Sequence, residues 1–158
     1  MQNIMIGHKL LFILFAFVLC EPPEQRAEVN FLNQTETELT LSITNYPIFI
    51  PEDSTYSFQI IPGERVSAGC FTYSKQSDPI TNLLEIISSP TVKPEFRVFV
   101  DSSEVLVWTF GSNKANSPFS HDSWSYEAKK SPIYCGDYSD NGNSIVHTIT
   151  NSDLILDE

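Results

Sequence analysis

Apolar and polar residues alternate at every second position along much of this 158-residue chain. Leu39, Leu41 and Ile43 alternate with Thr40, Ser42 and Thr44; Tyr56, Phe58 and Ile60 with Ser57, Gln59 and Ile61. The same period runs through Val29 and Phe31, Phe96 to Val100, Val105 to Thr109, and Ile145 to Ile149. A period of two places successive side chains on opposite faces of a strand, and β-branched and aromatic residues suit that geometry. Turn signals separate the runs: Asn33-Gln34-Thr35, Pro62-Gly63, Asp101-Ser102-Ser103, Gly111-Ser112-Asn113 and Asn141-Gly142. Ten scattered prolines argue against long helices. The pattern predicts an all-β fold: a single antiparallel β-sandwich, immunoglobulin-like in the broad sense, with an open β-barrel as second choice. Trp108 lies between Cys70 and Cys135 but too far from the first cysteine for a true immunoglobulin domain. Residues 78–88 stay open between strand and helix. Asp78-Pro79 suits a helix start, whereas the segment is short and rich in isoleucine.

The N-terminus fixes the expected compartment. An apolar run from Leu10 to Leu19 follows Lys9 and stops at Cys20, after which the chain turns polar at Glu21-Pro22-Pro23-Glu24. The run fits an export signal and is too short for a membrane-spanning helix. Two cleavage readings compete. In one, Phe17-Val18-Leu19-Cys20 acts as a lipobox and Cys20 carries lipid, although Leu19 stands where a small residue is expected. In the other, Val18 and Cys20 serve an ordinary signal peptidase and the protein is freely secreted. The lipoprotein reading is preferred, with residues 1–20 as signal, 21–27 as a Pro- and Glu-rich linker holding the domain off the surface, and 28–158 as the sandwich.

Without Lys9, the exported chain has 8 basic and 20 acidic residues, a net charge near −12. That charge repels phosphate backbones, so nucleic acid is not an expected partner. Cys70 and Cys135 remain as an even pair in an oxidising compartment and are expected to form a disulfide, the alternative being two buried thiols.

Val29-Asn30-Phe31-Leu32-Asn33, Tyr56 to Glu64, Phe99 to Leu106 and Ile145 to Leu154 occur in an order that resembles small, uncharacterised exported lipoproteins of the Bacteroidetes type. The resemblance implies a cell-envelope β domain and carries no catalytic residue.

No motif of nucleophilic, phosphate-binding or zinc chemistry occurs. Asp137, Ser139 and Asn141, with Gly142 sixth, have the oxygen spacing of a calcium loop, but Thr148 stands where the bidentate Glu belongs. A type I′ hairpin turn at Asn141-Gly142 is the preferred reading of that segment. His147 reads as a half-buried, hydrogen-bonded strand residue. His121-Asp122-Ser123 holds triad residue types without triad spacing. Glu85, Glu95, Asp101 and Glu104 are the carboxylates a glycosidase would draw on. Phe110, Phe119, Trp124, Tyr126, Tyr134 and Tyr138 gather in a long polar region, 110–138, read as a loop. Trp124, Tyr126, Tyr134 and Tyr138 are the candidate contacts for a protein or carbohydrate ligand. The expectation is a non-enzymatic envelope protein with a binding or structural role, without a cofactor and held to the membrane by its N-terminal lipid. A secreted hydrolase and a calcium- or carbohydrate-binding module are the alternatives.

Overall fold

The computed structural model describes residues 24–48, 54–132 and 141–154. Two four-stranded sheets enclose one apolar core, and neither closes into a barrel. The first sheet holds β1 (Glu24–Gln34), β4 (Arg65–Ser74), β7 (Trp124–Pro132) and β8 (Asn141–Thr150), in the order β4-β1-β8-β7. The second holds β2 (Leu39–Thr44), β3 (Thr55–Ile60), β5 (Glu95–Val100) and β6 (Ser103–Thr109), in the order β3-β2-β5-β6. One helix, α1 (Pro79–Ser88), links β4 to β5.

The alternation sets the inward faces. Leu41, Val98 and Leu106 share one row across the second sheet, and Ile43, Phe96 and Trp108 share the next. Across the first sheet, Phe31, His147 and Trp124 stand in register and meet Phe96 and Trp108 from the other side. The expected all-antiparallel pairing is corrected at one place: β1 and β8 run parallel, from Ala27 opposite Asn143 to Gln34 opposite Thr150. A parallel neighbour cannot be reached by a hairpin, so every intervening element lies between them in sequence.

Residues 78–88 resolve as helix. The Asp78 carboxylate accepts from the Thr81 N–H at 2.8 Å, and Pro79 occupies the first turn, where its missing N–H costs nothing. Ile80, Leu83 and Ile87 recur at helical spacing and bury one face. The tip Ile61-Pro62-Gly63-Glu64 is a tight turn, with the Glu64 N–H bonded to the Ile61 carbonyl at 3.0 Å. Gly63 has φ +80, the conformation that the third turn residue requires.

Four further expectations change. The linker does not reach residue 27: β1 begins at Glu24, Gln25 accepts from the Tyr73 hydroxyl at 3.0 Å, and Ala27 is fully buried. Asn141 and Gly142 do not form a hairpin turn; they open β8, with Asn141 opposite Pro132. The region 110–138 is not all loop, because β7 occupies Trp124–Pro132. Asn33, expected in a turn, ends as a fully buried residue of β1. Its Nδ2 donates to the carbonyls of Ile60 and Thr37, and its Oδ1 accepts from the N–H and hydroxyl of Thr35.

Candidate functional site

The first sheet buries polar groups on both faces. On the inward face, His147 is fully buried among Phe31, Trp108 and Trp124, with ring centroids 5.1 to 5.4 Å away. Its Nε2 lies 2.9 Å from the Asn116 carbonyl, which can only accept, so Nε2 carries the proton. Nδ1 is then an unprotonated, buried nitrogen without a partner among the described residues. Burial is the main cause that lowers the His147 pKa to about 4, against smaller raising effects from Asn116 and Asp153. His147 is therefore more deeply buried than its sequence setting implies.

The segment 115–118 supplies the partners of this core. The Ala115 carbonyl accepts from the Trp108 indole at 3.2 Å, and the Pro118 carbonyl from the Trp124 indole at 2.9 Å. Asn116, at φ 50, donates from Nδ2 to the Thr148 carbonyl and to Asp153. Asp153 in turn accepts from the N–H and hydroxyl of Thr150. Trp124 is thus a core residue, only 6% exposed, and is withdrawn as a ligand contact.

On the outward face of the same sheet, Glu28, Asn30 and Ser144 are also buried. Asn30 donates to the Ser144 hydroxyl at 2.7 Å. Arg65 on edge strand β4 and Glu127 on edge strand β7 meet in a two-pronged ion pair at 2.8 and 3.2 Å. The pair bridges the width of the sheet above β1 and β8. The Glu127 bond is the main reason the Arg65 pKa rises, with Glu28 adding attraction. Cys70 stands in register with Glu28 on this outward face and is disulfide-bonded. Its partner lies outside the described residues, where both Cys20 and Cys135 fall. An open groove of about 540 Å³ adjoins it, lined by Arg26, Thr72, Pro47, Ile48 and Ile86 besides Cys70 and Phe71.

The arrangement closest to a ligand site lies where β1, β4 and β7 approach the start of α1. Tyr126 keeps 48% of its surface exposed. It neighbours Tyr73, whose hydroxyl meets Gln25 and Asn143. Desolvation is the largest cause raising the Tyr73 pKa. Asp78 adds its field there and pairs with His121 Nε2 at 3.0 Å. Partial burial works to raise the Asp78 pKa, but bonds from Thr81 and His121 outweigh it and hold the carboxyl below its ordinary value. Asp122 is the farther neighbour of His121, at 3.9 Å, so the carboxylate that holds this histidine comes from 43 residues upstream. Among the described residues no three metal-ligating side chains converge.

Of the other candidates, Glu95 and Glu104 both pair with Arg97. Phe110 is half exposed and meets Phe119 edge-on, with the Lys93 ammonium 5.2 Å above its ring. Cys20, Tyr134, Cys135, Asp137, Tyr138 and Ser139 lie outside the described residues, and Asn141 opens β8. Tyr73, Gln25, Asn143 and Asp78 escaped the sequence reading as site residues. Only Asp78 carried a local signal, its place before Pro79.

No known family, curated protein or solved structure matches this chain. Among the described residues no helix is long and apolar enough to cross a membrane.

Proposed function

We propose that this is an exported, envelope-held β-sandwich, immunoglobulin-like only in the broad sense, whose role is to bind a carbohydrate ligand without turning it over. Export rests on the leader 1–20 and gains support from the disulfide state of Cys70. Lipidation at Cys20, a Cys70–Cys135 bridge and kinship with exported Bacteroidetes-type lipoproteins belong to the same reading. The observation that carries the binding role is the Tyr126 ring, half exposed beside Tyr73, whose hydroxyl is bonded to Gln25 and Asn143. An amphipathic ring offers a stacking face to sugar C–H groups, and neighbouring amides and a carboxylate suit sugar hydroxyls.

The Asp78–His121 pair favours the hydrolase alternative, since a carboxylate orienting a histidine is one part of a general base. Asp78 is also committed to Thr81 as a helix cap, which accounts for its geometry without catalysis. One experiment separates the readings: the mature protein is titrated with an array of polysaccharides while reducing ends are counted. Binding without release of reducing ends, weakened at least tenfold by Tyr126→Ala (about 1.4 kcal/mol), is the expected result. Binding indifferent to Tyr126→Ala overturns the site. Product release abolished by His121→Ala replaces the proposal with the hydrolase.

A further inference from the structure

The distance between Cys20 and the first strand decides how the domain sits on a membrane. Only Glu21, Pro22 and Pro23 separate Cys20 from Glu24, where β1 begins. Four residue steps span at most about 14 Å when fully extended. That is less than half of β1 itself, whose 11 residues run to about 36 Å. Residues 24–27 cannot serve as spacer, because Gln25 is held by Tyr73 and Ala27 is packed in the core. We infer that the end of the first sheet where β1 starts docks on the lipid surface, with the strands standing away from it. This inference rests on Cys20 being the anchor.

The docked end is defined by register. Glu24 pairs with Ser74 at the end of β4, and the exposed turn residue Lys75 follows at once. The start of β8 and the end of β7 lie at the same end, with Asn141 opposite Pro132. The lipid on Cys20 holds this end there. At the other end, Asn116 is tied to Thr148 and Asp153, which places exposed Lys114 far from the surface. Gln25 and Tyr73 belong to the docked end, so the ligand of the Tyr126 corner is met close to the headgroups.

The test compares two forms of the protein by lysine labelling with a membrane-impermeant amine reagent. The mature protein purified from its own membrane is placed in phosphatidylcholine vesicles, and in a second set with phosphatidylglycerol added. The Cys20→Ala protein, free in solution, is the reference. Labelling of Lys75 falls several-fold in both vesicle sets relative to the reference, while Lys114 is labelled equally throughout. Intact mass is recorded on the same samples. Acyl mass on Cys20 with unchanged labelling of Lys75 overturns the docked geometry alone. A chain beginning at Glu21 without acyl mass overturns the anchor and the docked geometry together.

Discussion

The two faces of the β4-β1-β8-β7 sheet bury polar groups in opposite ways. Outward, Asn30, Ser144 and Glu28 are shielded together, and Asn30 spends its amide on its neighbours. Inward, a single histidine sits among aromatic rings with one nitrogen satisfied and the other not. The outer face of the other sheet is a third case. There Arg97 meets Glu95 and Glu104, and the Thr44 and Thr55 hydroxyls meet at 3.3 Å, all at a surface that is at least partly exposed. Strand parity alone thus does not tell water from interior. The polar parity of β1 is interior on one sheet, while the polar parity of β5 is solvent on the other.

The comparison is most severely tested by removing the disulfide from the outward face. Cys70→Ala is expected to cost about 2–5 kcal/mol, the usual loss when a small domain is deprived of a native disulfide. Urea unfolding without reductant checks it, and an unchanged midpoint would mean that the bridge adds nothing to this face.

The inward face is expected to fail in acid. Folded His147 has a pKa of about 4, below its ordinary 6.5. Between those values the unfolded chain takes up a proton that the folded one refuses. Stability from this residue is complete above pH 6.5 and drains away as the pH falls toward 4, by about 3 kcal/mol. His147→Phe loses a fixed amount by leaving the Asn116 carbonyl unpaired, but it lacks this pH-dependent part. The difference between wild type and variant in urea midpoint at pH 7 and pH 4.5 reads it directly. Parallel pH profiles for the two proteins would show that the imidazole is not sequestered.

Smaller effects complete the series. Asn30→Ala leaves the buried Ser144 hydroxyl without its donor, and about 1–3 kcal/mol is expected to go in the same assay. Arg97→Ala, its counterpart on the exposed face, is expected to leave the midpoint unchanged, since surface ion pairs contribute little. Equal losses from the two substitutions would erase the distinction between the faces.

The strands were legible where alternation is clean. Leu39 to Ile43 and Phe96 to Val100 announce their period, and each lies in a strand with one inward face. β4 and β7 were harder to see. Cys70, Phe71, Thr72 and Tyr73 mix small, aromatic and polar groups, while in β7 the alternation of Trp124, Tyr126 and Ala128 with Ser125, Glu127 and Lys129 lies inside a region that reads as a polar loop. Both are edge strands, but so are the legible β3 and β6, so edge position does not account for the difference. The helix was half legible, through its cap but not its length. The corner around Tyr126 was legible only as one aromatic residue. Its partners Gln25, Tyr73 and Asn143 come from three other strands, and no local pattern brings them together. Trp124 misled because a tryptophan among serines reads as exposed, whereas the Pro118 carbonyl lets it be buried.

The parallel embrace of β1 and β8 has a consequence for biogenesis. The earliest strand waits for the latest: its long neighbour is not available until residue 150 has been made. Until then Val29 and Phe31 lack Ile145 and His147 beside them, and pairings this distant close slowly. A nascent chain that cannot finish this sheet stays incompletely folded until its last strand has been made.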